Sequence, residues 1–278
     1  MVFEYLFMFP LAIIVATIAM VLGIGGALLF SPIFLLLFPF IGVDTLSPAD
    51  AFGAALLTEV FGFSSRLYGY NKRKLIDFKT AKYFIVIGVP AAILGTIFKR
   101  RVTGDIIIII FALILFILAG YTIYNKKKGK HFHLDYAGET RKIIDIDGNE
   151  YEYIFCNQRA GGFLTSIGAF ITGLMSVGIG ETTTTTLRLR CNLPMRVASG
   201  TSVFVVTVVV FTSALTDIIL IGLEAVPWEL VMFTIPGVLI GGQIGPKIAV
   251  KVDSEITEKL LVIVFLVIGS LMASSVIF

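Results

Sequence analysis

Gly23-Ile24-Gly25 recurs as Gly178-Ile179-Gly180, and the same landmarks follow each copy in the same order. A proline with a small-residue patch comes next: Pro48 before Ala51-Phe52-Gly53, and Pro194 before Ala198-Ser199-Gly200. Then come Pro90-x4-Gly95 and Pro236-x4-Gly241. The glycine motifs lie 155 residues apart and the proline landmarks 146 apart, so the second copy is shorter between glycines and proline. A chain that repeats itself on this scale folds as two related halves. Its 57% hydrophobic content, mean hydropathy of +0.95 and 15% charge make the bilayer the solvent for both. No basic leader precedes the first apolar stretch, so Met1 onward reads as mature protein.

Eight apolar stretches are visible, roughly 5–38, 46–66, 80–98, 104–124, 160–187, 197–222, 227–250 and 258–278. Six have ordinary spanning length, near the ~20 residues needed for a 30 Å core. The first would reach ~51 Å as one helix, and Gly23, Gly25, Gly26 and Pro32 offer places to break it. The fifth is also overlong and carries Gly178 and Gly180. If both broken segments dip in and return while the other six cross, 19 of the 22 basic residues fall on one face. By the positive-inside rule that face is cytoplasmic, and both termini lie outside. Lys99, Arg100 and Arg101 are the exception. The expected fold is therefore an all-α polytopic membrane protein of two inverted repeats. Each repeat is a broken re-entrant element plus three transmembrane helices, residues 1–124 and 160–278.

Between them lies a polar insert, residues 125–159. Within it Ile144, Ile146, Tyr151, Tyr153 and Phe155 alternate around Asp147-Gly148-Asn149, a strong hairpin signal. A lone two-stranded hairpin is marginal in water, so it is expected to rest on the membrane domain or on a partner. His131 and His133 flank Phe132 without Cys or acidic residues at ligand spacing, so no metal is expected there. Cys156 and Cys191 make no disulfide framework. The runs Lys72–Lys74 and Lys126–Lys128 read as topology determinants near anionic lipid, not as nucleic-acid sites.

Exposed backbone at membrane depth is tolerated only where it lines a cavity or is buried in protein. Gly23, Gly25, Gly26, Gly178 and Gly180 thus mark the expected substrate site, where helix N-termini would present free N–H groups to an anion. Close helix packing is the alternative use of such glycines. Thr182 and Thr183 open a run of five threonines after the second break, and Ser31 follows the first. Threonine also bonds back to its own helix, so about two of the five are expected to reach a ligand. Ser199, Thr201 and Ser202 begin the next span, where the first half has apolar Phe52, Ala54 and Ala55. Intramembrane Glu59 and Glu181 are candidates for proton or ion coupling, Glu59 having a structural pair with Arg66 as its alternative. Arg188 and Arg190 can attract an anion or anchor the inner face.

Glycine-rich breaks opening each half, then proline with Ala-Ser-Gly-Thr-Ser, then Pro-x4-Gly, resemble the TauE/SafE sulfite exporter family over essentially the whole chain outside the insert. The resemblance implies a secondary transporter of small sulfur-containing anions of the sulfite, sulfonate or sulfoacetate type. It departs where Glu181 takes the place of a third glycine, where threonines replace an apolar run, and in the size of the insert. With no Gly-x-Ser-x-Gly elbow, no His-Glu-x-x-His site and no histidine in the membrane, neither enzymatic chemistry nor a cofactor is expected. The expected partners are a small anion, the cell-membrane bilayer and, for uptake, a coupling proton or sodium. A homodimer is compatible with the pattern. The alternative is an ion channel or cation carrier using Glu59 and Glu181.

Overall fold

The computed structural model describes residues 2–128, 140–154, 158–189, 193–249 and 251–277. In the first half these form α1 (Met8–Leu22), α2 (Ala27–Ile41), α3 (Pro48–Lys72), α4 (Phe78–Lys99) and α5 (Gly104–Lys128). A hairpin follows, β1 (Thr140–Ile144) and β2 (Glu150–Ile154). The second half repeats the helical order with α6 (Gln158–Met175), α7 (Ile179–Leu189), α8 (Met195–Ile221), α9 (Trp228–Ala249) and α10 (Ser254–Ile277). The fold is that of an all-α polytopic membrane protein.

Local chemistry sets the helix ends. Gly23 closes α1 at φ +74°, a left-handed conformation that costs glycine nothing. Ser47 caps α3 ahead of Pro48, and Asp77 caps α4 by accepting the N–H groups of Lys79 and Thr80. Pro32 does not break α2, contrary to expectation. The backbone widens into a π-turn over Ile33–Leu37, which absorbs the proline within a continuous helix.

Among the described residues, five helices (α4, α5, α8, α9 and α10) are long and apolar enough to cross a bilayer. Their exposed Leu94, Leu113, Phe211, Ile240 and Ile263 face outward as a lipid belt would. The sixth expected span, α3, is 25 residues long but carries Asp50, Glu59, Arg66 and Lys72. It is shielded, with Phe52, Ala55 and Leu56 wholly buried. The short helices α1 and α2, 15 residues each, reach only ~22 Å, less than a hydrocarbon core.

Helix pairing exchanges the halves: α1 packs along α9, and α4 packs along α6. Both seams use glycine for close approach. A Cβ on Gly95 would lie 2.1 Å from the Phe170 carbonyl oxygen, and one on Gly241 would lie 2.5 Å from that of Ile13. The repeated Pro-x4-Gly motif therefore marks where each half receives the first helix of the other. Helices α3 and α8 pair at the centre, and α5 pairs with α10.

The hairpin forms where expected and rests on the membrane domain, but its first strand is offset by one residue. Arg141 pairs with Tyr153 and Ile143 with Tyr151 on the inward face, leaving Ile144 and Ile146 exposed. The cause is Asp145, whose Oδ1 accepts the N–H groups of Asp147 and Asn149 and pulls the turn into a five-residue loop. The Asn149 side-chain amide, and then these N–H groups, hold the Asp145 carboxyl below its usual range. Phe155, His131, His133, Cys156 and Cys191 lie outside the described residues. Buried Tyr153 donates to Asp77 Oδ2 at 2.8 Å. Burial, then this carboxylate, pushes the phenol well above its usual range, keeping it a neutral donor. Tyr153→Phe is expected to weaken the docked hairpin by about 1.5 kcal/mol. Hydrogen exchange of the β1 and β2 amides checks this, and unchanged protection would refute it.

Candidate functional site

The first break lies between Gly23 and Gly26. The N–H groups of Gly23 and Ile24 both return to the Ala19 carbonyl, closing α1, and α2 starts afresh at Ala27. Glu59, mid-way along α3 and 4% exposed, turns its carboxylate into this break. Ala27 N–H donates to Glu59 Oε1 at 3.4 Å, and a Cβ on Gly25 would lie 2.2 Å from the same oxygen. Gly25 is thus glycine because a carboxylate occupies the space of its side chain. The cavity beside it, lined by Gly26, Phe30, Gly62 and Phe63, holds about 10 Å³, room for one water. Arg66 places its guanidinium over the Phe63 ring, 5.6 Å from the centroid.

The second break is built differently. Ser176 adopts φ +65°, unusual without glycine, and Gly178 adopts φ +127°. Ser176 is held by its N–H to the Thr172 carbonyl at 2.7 Å and its hydroxyl to the Phe52 carbonyl at 2.9 Å. The latter bond ties this break to α3. Thr172 then receives the Ile179 N–H at 2.8 Å, capping α7 from α6. The residues around both breaks (Leu22, Ile24, Leu174, Met175 and Val177) share one apolar cluster with Phe52, so the fold brings the breaks together.

The two breaks differ in what faces them. Gly25 meets Glu59, whereas Gly180, its counterpart, meets Val206, 3.7 Å from where a Cβ would sit. The first helix N-terminus already holds an anion belonging to the chain. The second does not hold one among the described side chains.

The threonines separate into two groups. Thr182 bonds back to the Gly178 carbonyl at 2.9 Å, and Thr184 donates to Ser202 at 2.8 Å, which in turn reaches the Gly180 carbonyl at 3.3 Å. Thr183 and Thr186 are buried, at 0% and 2% exposure, and their hydroxyls have no hydrogen-bond partner among the described residues. Thr165 on α6 is in the same condition. It lies on the stripe that meets α7, between Gly161, against Thr186, and Gly168, against Thr182. Three buried hydroxyls without partners on α6 and α7 are costly, at roughly 1–3 kcal/mol each, unless something else satisfies them.

Other candidates sit elsewhere. Ser31 bonds to the Ala27 carbonyl one turn inside α2. Thr201 accepts the Asp77 N–H at 2.9 Å, tying α8 to the α3–α4 loop, and Ser199 is half-buried nearby. Arg188 is exposed in the last turn of α7, where a cation complements the helix dipole. The Glu181 side chain and Arg190 lie outside the described residues. Thr165 and Thr172 were not singled out in the sequence, and Thr186 only as the last of the five-threonine run. The only signal for Thr165 and Thr172 is their spacing of seven, two turns along one helix face, readable only once α7 is known to fold back on α6.

The chain is 23% identical to the probable membrane transporter protein YunE of Bacillus subtilis (strain 168), over 96% of each chain. No solved structure matches it. The sequence profile of sulfite exporter TauE/SafE matches residues 8–272. That span takes in both glycine breaks, the α3–α8 pair and both exchanged seams, and the chain belongs to the TauE/SafE sulfite exporter family of membrane transporters.

Proposed function

We propose that the protein carries small sulfur-containing anions of the sulfite, sulfonate or sulfoacetate type by alternating access, and that the second glycine break holds the substrate. One observation carries this reading: Thr183, one turn into α7 from the break, buries a hydroxyl donor without a described partner, as do Thr186 further along that helix and Thr165 on α6. Hydroxyls and a helix N-terminus together offer an oxyanion donors at low net charge. The first break does not compete, because Glu59 fills it. Glu59 and Glu181 are the groups through which a proton would be coupled to anion movement.

Orientation follows the positive-inside rule, with the insert cytoplasmic, both termini outside and the broken segments re-entrant in two inverted repeats of a plasma-membrane protein. The basic cluster that opposes this assignment is engaged in the folded protein. Lys99 and Arg100 are ion-paired to Asp217, and Arg100 also to Asp50. The exchanged packing of α1 on α9 and α4 on α6 supports the two-fold relation of the halves.

Thermal unfolding of the purified protein, with sulfite, thiosulfate, sulfonates, sulfate, carboxylates, sodium and divalent cations in turn, tests the reading. A ligand at 100 times its dissociation constant stabilises the folded state by about 2.7 kcal/mol. A sulfur oxyanion or sulfonate is expected to give such a shift. Thr183→Val is expected to leave the unliganded protein as stable or about 1 kcal/mol more stable, because a buried hydroxyl without a partner is removed. The same change should weaken the anion at least ~10-fold, the loss of one hydrogen bond to a charge. Shifts with cations alone would overturn the anion reading and favour a cation carrier.

A further inference from the structure

Helix α3 runs beside both breaks and α8 beside the second, and each end of the pair is fastened by a different network. At the end that carries Gly200, the α3–α4 loop is pinned: Asp77 N–H donates to Thr201 and Tyr153 donates to Asp77. A Cβ on Gly200 would lie 2.3 Å from the Leu75 carbonyl. At the opposite end the fastening is ionic. Arg100 grips Asp217 of α8 with two parallel bonds, Nε to Oδ1 at 2.9 Å and Nη2 to Oδ2 at 2.8 Å. Its third nitrogen, Nη1, holds Asp50 of α3. Lys99, wholly buried, places Nζ 2.9 Å from Asp217 Oδ1. Gly53 makes room, since its Cβ would lie 2.2 Å from Asp217 Oδ2. Gly53 and Gly200 are the glycines of the repeated small-residue patch, so one repeated position serves each end.

We infer that Asp50, Lys99, Arg100 and Asp217 form the gate at the end away from the hairpin, and that it opens when Asp217 parts from Lys99 and Arg100. This rests on the transporter reading above. Three features point to a gate and not to a static brace. The four residues come from three helices of both halves, so relative movement of the halves must break the network. The two acids and two bases cancel, so the closed state carries no net charge into an apolar setting. The cavity that the network closes, lined by Ala54, Leu57, Ala214 and Ile218, holds only about 10 Å³, too little for a multi-atom anion. Opening would also bare two cations to an arriving anion, which can take the place that Asp217 leaves.

Access to Ala54, 3% exposed in this cavity, reads the gate. Ala54→Cys is placed in a background where Cys156 and Cys191 are Ser, and a charged thiosulfonate reagent is followed by mass. Slow labelling is expected, rising at least tenfold when Lys99→Met and Asp217→Asn are combined. That pair removes one charge of each sign and leaves Arg100 on Asp50, so the protein retains a balanced network. Asp50→Asn alone is expected to give a smaller rise. Rates within twofold of the parent in both backgrounds would overturn the gate. The sulfite and sulfonate thermal shift is read on the same samples. An anion response with unchanged labelling discards the gate alone, and raised labelling with a cation-only response keeps the gate while discarding the anion reading.

Discussion

Asp217→Asn is expected to cost about 3–5 kcal/mol of stability, the penalty of removing one partner from a buried ion pair. Lys99 is wholly buried, and Asp217 lies 2.9 Å from its ammonium, so the substitution strands a cation where water cannot reach it. Arg100 fares better, because Asp50 remains on its Nη1. Combining Asp217→Asn with Lys99→Met should restore most of the loss, since removing both charges leaves no buried ion without its partner. Denaturant unfolding in detergent, run as a double-mutant cycle, measures the coupling. A loss below 1 kcal/mol for the single variant would mean that water reaches Lys99.

Gly95→Val should destabilise by about 3 kcal/mol or more, at the top of the range for overpacked interiors. The new Cβ would sit 2.1 Å from the Phe170 carbonyl oxygen, and backbone cannot yield as a side-chain tip can. Gly173 stands on the facing helix with its own Cβ position 2.0 Å from the Ala92 carbonyl, so the contact is reciprocal. Gly241→Val should act alike in the α1–α9 seam, where the Ile13 carbonyl is 2.5 Å away. Gly120→Ala is the control: nothing lies within 4 Å, and alanine is the better helix former. Thermal midpoints of the three variants decide it. Equal behaviour of Gly95→Val and Gly120→Ala would show that the seam opens freely.

Much of the fold was legible because its signals are local. Gly23 and Gly178 need backbone angles that most side chains resist, and they announce the breaks wherever the chain goes. Ser47-Pro48 and Asp77 mark helix starts in the same way. The hairpin turn was readable too, but its inward face was not. The offset depends on Asp145 collecting N–H groups across the loop, a choice between near-equal turns. Pro32 reads as a breaker in isolation, yet a π-turn accommodates it within an otherwise continuous helix.

The site was legible in its address and not in its asymmetry. Glu59 stood out as a charge within a span, but its destination at Gly25 depends on α3 crossing the first break. Which threonines remain without partners was equally hidden. Thr182 and Thr184 are satisfied by groups four and eighteen residues away, whereas Thr165 meets α7 only because the chain turns back at Gly178.

By itself the sequence determined that two related halves live in a bilayer, each opening with a helix that glycine interrupts. Those facts follow from apolar content and from backbone angles set within a few residues. Only the tertiary structure decided that Arg100 meets Asp217 across 117 positions, that α1 of one half lies on α9 of the other, and that one break is filled by a carboxylate while the other faces valine. The reason is physical: a local conformation is chosen by neighbouring atoms in the chain, whereas the partner of a buried charge is chosen by how the halves dock.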